Sequence, residues 1–188
     1  MRLEKLTQEY GDEVQVVWRS FLLRPEPEER DVEKFRAYTE SWRRPAALEP
    51  DATFRPWSST NAPPSHSLPA AVAAKVARTF GEDAFRRYHR AVMTAYFAEN
   101  RTVSDFSVLS DVAAEAGLDH EDFVERLRRL ARPFSEKVIE EHNVAVEAGI
   151  QAVPAAVVDR TYLVLGAVDL DEYRGVIAKT RESPPPPG

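Results

Sequence analysis

Val153-Pro154-Ala155-Ala156-Val157-Val158-Asp159-Arg160-Thr161-Tyr162-Leu163-Val164-Leu165-Gly166-Ala167-Val168 is the stretch on which the fold turns. Two short apolar runs are split by Asp159-Arg160, the pattern of a β-hairpin. Asp-Arg suits a two-residue turn poorly, because a type I′ turn needs positive φ at both central residues and favours glycine at the second. A loop longer than two residues is expected. Asp169 and Glu172 read as the capping box of a final helix through Lys179, with Leu170, Tyr173 and Ile177 facing inward. Residues 183–188 read as a mobile polyproline tail.

Upstream of the hairpin the apolar period changes to that of helices. Ser67 reads as the N-cap of a helix carrying Leu68, Val72, Val76 and Phe80, up to Gly81. Phe85, Tyr88, Val92, Tyr96 and Phe97 mark a second helix ending near Asn100. Val108, Leu109, Val112 and Ala113 mark a third that stops at Gly117. Asp119 caps a fourth with Phe123, Leu127 and Leu130, where Pro133 closes the helix or starts a new turn, and Val138, Val144 and Val146 carry a fifth up to Gly149. The block is too long for one crossover connection and reads as a helical subdomain inserted into another fold.

Further upstream, prolines crowd residues 24–69, and each removes a backbone donor and biases its predecessor away from helix. The stretch reads as a long ordered loop with one helix at Val32 to Thr39. Its aromatics Phe35, Tyr38, Trp42, Phe54 and Trp57 argue against disorder. Leu3, Leu6 and Tyr10 before Gly11 read as an amphipathic helix with a glycine stop. Val14, Val16 and Trp18 alternate with Glu13, Gln15 and Val17, predicting a strand over 13–19.

The 188 residues suffice for one domain, or for a small domain carrying an insertion. No apolar run approaches bilayer-spanning length, so no membrane association is expected. Residues 1–10 alternate charge and apolar character, unlike a secretory leader, so the cytoplasm is the expected compartment. A net charge of −6, with arginines interleaved among acids, argues against nucleic acid as partner. The count of zero cysteines removes disulfides, thiolate nucleophiles and cysteine-based metal sites together.

Several strings resemble those of the DsbA-like thioredoxin-fold oxidoreductases, in the FrnE-like and hydroxychromene carboxylate isomerase-like branches. They are Arg2-Leu3-Glu4-Lys5-Leu6, Glu9-Tyr10-Gly11, Val16-Val17-Trp18-Arg19, Pro64-Ser65-His66-Ser67-Leu68-Pro69-Ala70, Tyr96-Phe97-Ala98-Glu99-Asn100-Arg101, Glu115-Ala116-Gly117-Leu118-Asp119 and the run from Gly149 to Pro154. Their order implies an α/β fold, a thioredoxin-like sheet with an inserted DsbA-type helical subdomain. Residues 1–67 and 149–182 would form the thioredoxin-like domain, and 68–148 the insertion. The resemblance implies a cis Val153-Pro154 bond, with the Val153 backbone free to pair with an extended peptide or to meet a thiol ligand. Val153 and Pro154 are therefore the candidate substrate-binding residues; no catalytic residue, cofactor or metal ligand is expected.

The same resemblance implies a strand and a Cys-x-x-Cys ahead of the first helix, and neither occurs in this sequence. A chain begun too late relative to its gene, a degenerate paralogue, and a homo-oligomer whose partner covers the vacant place would each account for this. The family exchanges disulfides by attack of one thiolate and resolution by another, so this chain is expected to be redox-inactive. A peptide- or thiol-binding module is the alternative. A glutathione-dependent isomerase-like enzyme is a second one, with the sulfur brought by glutathione.

Other reactive residues have plainer readings. His66, His89, His120 and His142 show no metal-pair spacing. His66 with Ser67 suits a helix start better than an activated nucleophile, and the remaining three read as surface residues. Glu9, Glu13, Glu82, Asp83, Glu140 and Glu141 would act as acid and base only if two converged in a cleft. Arg126, Arg128, Arg129 and Arg132 form a basic flank on a helix, near Glu121, Asp122 and Glu125, and read as a solvated face.

Overall fold

Three aspartates and two glycines set five of the helix ends in the computed structural model, which describes residues 2–49 and 52–182. Asp31 Oδ1 accepts from Lys34 N at 2.8 Å and starts α2 (Val32–Thr39). Asp105 Oδ1 accepts from Ser107 N and starts α6 (Phe106–Glu115), and Asp119 Oδ1 accepts from Asp122 N and starts α7 (His120–Glu147). Each bond satisfies a helix N–H that has no intrahelical acceptor. At Gly117 and Gly149, both at positive φ, the chain leaves α6 and α7 through paired bonds: Leu118 N to Ala113 O with Gly117 N to Ala114 O, and Ile150 N to Ala145 O with Gly149 N to Val146 O. The remaining elements are α1 (Arg2–Tyr10), α3 (Arg43–Leu48), α4 (Leu68–Arg78), α5 (Glu82–Phe97), β1 (Ala155–Val158), β2 (Tyr162–Leu165) and α8 (Leu170–Glu182), with short 3-10 turns at Gly11–Glu13 and Glu40–Trp42. Among the described residues no helix is long and apolar enough to cross a membrane. The predicted tail at 183–188 lies outside them.

The chain forms two compact units. One contains the described residues up to Phe21 together with those from His142, and the other spans Leu22–Glu141. Residues 22–67, assigned from the sequence to the thioredoxin-like part, fall in the second unit.

In the second unit, Val72 and Val76 of α4, Tyr88 of α5, Leu109 and Val112 of α6, and Phe123 and Val138 of α7 are fully buried in one cluster. Each such apolar side chain contributes about 1.5–3 kcal/mol on burial. A second cluster holds the proline-rich stretch: Phe35, Trp42 and Trp57 pack with Phe54, Tyr96 and Phe97. Trp57 N donates to Thr39 Oγ1 at 2.8 Å and Arg55 N to Phe97 O at 2.8 Å, so the loop finds partners outside any sheet. That stretch contains more helix than the prolines suggest. Pro45 sits in the first turn of α3, where its missing N–H costs no intrahelical bond.

In the first unit, Leu6 of α1, Val164 of β2, and Tyr173 and Ile177 of α8 are buried together, with Val14, Ala156 and Val158 packed against them. β1 and β2 pair antiparallel with Val158 opposite Tyr162, leaving a three-residue loop. Asp159 and Arg160 both take positive φ, at 50° and 57°, and Thr161 N donates to Val158 O at 3.1 Å. A type I′ geometry is thus reached without glycine, inside a loop one residue longer.

Three sequence expectations are corrected. No strand forms over 13–19. The alternation survives, with Val14 and Val16 half-buried and Gln15 and Val17 exposed, but β1 and β2 are the only hydrogen-bonded strands among the described residues. A strand needs a neighbour's ladder, and periodicity alone cannot supply one. The helices predicted on either side of Pro133 are one continuous α7. Pro133 and Arg129, whose carbonyl the proline ring displaces, are both exposed, so water can take the freed acceptor. Ser67 makes no capping bond to α4; its Oγ accepts from Arg24 N at 3.1 Å, while Ser67 N donates to Arg24 O at 2.8 Å.

Candidate functional site

The C-terminal end of α7 delivers the chain to the candidate site. After Gly149 it crosses to Val153-Pro154, whose peptide bond is cis, and β1 begins at the next residue. Pro154 O accepts from Gly166 N at 2.8 Å, which locks the start of β1 to the end of β2. Val168 N donates to Gly166 O, and Arg2 Nη1 donates to Ala167 O at 2.8 Å and Val168 O at 3.0 Å. The first residue of α1 therefore braces the turn beside the loop. Val153 is 43% exposed and Pro154 is exposed.

No titratable side chain occurs between Gly149 and Val158. What the loop offers is backbone and apolar surface, chemistry suited to positioning an extended chain and not to making or breaking a bond.

The other sequence candidates do not converge. Ser65 Oγ and His66 Nδ1 lie 2.9 Å apart, so the partner of His66 is Ser65 and not Ser67. His142 packs edge-on against Phe21 with ring centroids 5.0 Å apart, His89 lies near Phe85, and His120 Nε2 is 4.0 Å from Asp111. His89 and His142 are half-buried, not surface residues as the sequence suggests. Among the described residues no group of three or more His, Asp or Glu could hold a metal ion.

Each carboxylate singled out in the sequence pairs with a cation: Glu9 with Arg174 at 2.6 Å, Glu82 with Arg78 at 2.9 Å, Glu140 with Lys137 at 2.8 Å, Glu141 with Lys75 at 2.7 Å, Glu13 with Arg181 and Asp83 with Arg86. Glu9 shares Arg174 with Asp171, so the cation lies between those two carboxylates. The arginine flank is likewise divided. Arg126 bonds Asp122 and Thr79 and lies 3.9 Å over the Phe80 ring, while Arg132 bonds Glu136. Arg126 holds the Asp122 carboxyl below its ordinary range. Sequence reading missed a groove of about 510 Å³ between α6 and α7, lined by Phe106, Ser110, His120, Val124, Leu127 and Arg128. Its residues come from two helix faces brought together only by packing.

Comparison with known proteins agrees with the fold. The sequence profile described as the DSBA-like thioredoxin domain matches residues 1–178. The crystal structure of a probable DsbA oxidoreductase from Streptomyces coelicolor is similar at a TM-score of 0.76 and 24% identity, over 100% of this chain and 85% of that one. The cytosolic disulfide reductase DsbM from Pseudomonas aeruginosa is similar at 0.72 and 18% identity, over 96% and 90%. Its structure with GSH is similar at 0.72 and 16% identity, over 96% and 91%. No curated protein sequence matches the chain.

Proposed function

Because this chain belongs to the DsbA-like thioredoxin family and contains no cysteine, we propose that it is a redox-silent member that binds an extended peptide at the Val153-Pro154 loop, in the cytoplasm. The observation that carries the reading is the missing sulfur. Disulfide exchange passes through a mixed disulfide formed by an attacking thiolate, and this chain supplies neither the attacking nor the resolving sulfur. The fold keeps the loop and the strand edge while the bond-exchanging step has no agent. Strand addition beside an exposed backbone supports the peptide as ligand: main-chain bonds give affinity, and Val153 gives an apolar contact. The cytoplasmic assignment draws support from a structural neighbour described as cytosolic.

Insulin reduction and refolding of scrambled ribonuclease test the proposal. The expected rate is that of buffer alone, and disulfide chemistry catalysed by the purified chain overturns it. Activity that appears only with added glutathione would replace this reading by the isomerase-like one, in which the ligand brings the sulfur.

A further inference from the structure

Arg24, Arg30, Tyr38 and Tyr96 bring hydrogen-bond donors together within the second unit, around the aromatic cluster of the proline-rich stretch. Arg30, just ahead of α2, is half-buried, and its guanidinium lies 3.9 Å over the Phe35 ring. Tyr38 of α2 stacks beside that ring with centroids 6.0 Å apart. Tyr96 of α5 joins the cluster edge-on to Trp42 at 5.2 Å. Arg30 shares a side-chain hydrogen bond with the Tyr96 hydroxyl, and Arg24 and Tyr38 lie close enough to act electrostatically on both.

The sequence surrounds Arg30 with acids, yet the fold gives it none. Asp31 Oδ1 accepts from Lys34 N as the cap of α2, Glu33 pairs with Arg36 at 2.7 Å, and Glu28 pairs with Arg24 at 2.6 Å. Among the described residues no carboxylate pairs with Arg30. Burial, and after it the like charge of Arg24, push the Arg30 guanidinium below its ordinary value, although a guanidinium stays charged at neutral pH. A bound anion would oppose both effects. Neither tyrosine hydroxyl donates to an acceptor among the described residues, so their protons are available to one. The one counter-charge, Glu28 on Arg24, belongs to a solvent-exposed pair four residues apart, of the kind that contributes little and yields to a stronger anion.

We propose that Arg24, Arg30, Tyr38 and Tyr96 form a binding site for a phosphate group, carried by a monoester or free in solution. Two guanidiniums match a dianion, and donors from the loop, α2 and α5 serve more oxygens than the two of a carboxylate, which a single guanidinium fork satisfies. Tyr38, 60% exposed, leaves the cluster open to solvent. The site lies wholly within Leu22–Glu141 and does not depend on the peptide proposed at Val153-Pro154, so either can fail alone.

The probes are phenyl phosphate and inorganic phosphate, titrated into the full chain at fixed ionic strength while backbone amide and arginine Nε–H signals are followed by NMR. Saturable shifts at Arg24, Arg30 and Tyr38 are expected, with affinity falling as salt is raised. Arg30→Gln should weaken binding by about tenfold or more. Arg24→Gln and Tyr38→Phe, at side chains open to solvent, should each weaken it severalfold and leave the thermal midpoint of the free protein close to that of the parent. Tighter binding of phenyl phosphate would identify a monoester as the ligand, and equal binding free phosphate. Shifts that do not saturate, phenylacetate binding as tightly as phenyl phosphate, or affinity unchanged in both Arg24→Gln and Tyr38→Phe overturns the proposal.

Discussion

Arg174 Nη2 of α8 lies 2.6 Å from Glu9 Oε2 of α1, joining residues 165 positions apart at the two ends of the chain. The Arg174 guanidinium donates directly to the Glu9 carboxylate and holds it below its ordinary value of 4.5. A carboxyl with a depressed folded pKa stabilises above its unfolded value, and that contribution is lost as pH falls through the folded value. Glu9→Gln should therefore lower the thermal midpoint at about pH 7, by an amount that shrinks as pH falls through the folded value. Thermal melts of both proteins across that range check this, and a difference unchanged by acid would contradict it. The gap should also narrow at high salt, since both side chains are substantially exposed.

Pro133 lies inside α7 on an exposed flank. Restoring its N–H lets the Arg129 carbonyl regain an intrahelical partner and removes the ring clash, at no cost in buried contacts. Pro133→Ala should stabilise the protein by about 1–3 kcal/mol in urea unfolding. A loss of stability would mean that the proline serves the helix in a way its exposure does not reveal.

Lys75 Nζ of α4 lies 2.7 Å from Glu141 Oε2 of α7, with side chains 14% and 7% exposed. Removing the cation leaves a buried carboxylate without this partner, so Lys75→Met should cost about 3–5 kcal/mol. The double substitution Lys75→Met with Glu141→Leu should recover most of that loss, because no charge then remains to desolvate. Additive losses in the double-mutant cycle would show that the two side chains act independently.

Asn100 sits at φ 55°, and its Oδ1 accepts from Ser58 N at 2.7 Å while its Nδ2 donates to Arg55 O at 3.2 Å. Asn100→Ala should destabilise by about 2–4 kcal/mol, combining lost bonds at a buried site with a left-handed backbone that alanine tolerates poorly. Asn100→Gly should be milder, since it relieves only the second cost. Equal losses would assign the whole effect to the hydrogen bonds.

The sequence by itself determined the features that depend on neighbours along the chain. Asp119 caps α7, and Gly117 and Gly149 stop α6 and α7, because capping and left-handed exits are local chemistry; Asp31 and Asp105 act in the same way but were not read as caps. The hairpin around Asp159-Arg160 was legible for the same reason, and the want of a thiolate required only counting. Tertiary structure alone decided what depends on distant partners. Val14 to Val17 alternate as a strand should, yet form none, because a ladder needs an edge that these residues do not bring with them. Pro133 interrupts no helix because packing left its flank facing water. Of the six carboxylates that resembled acid-base candidates, Glu82, Asp83 and Glu140 meet cations three or four residues away along the chain, whereas the partners of Glu9, Glu13 and Glu141 lie on distant elements that periodicity does not align. The candidate loop was legible to the extent of its residues, Val153 and Pro154. That β2 is the one hydrogen-bonded partner of β1 among the described residues emerges only from the structure, since edges belong to sheets and not to strands.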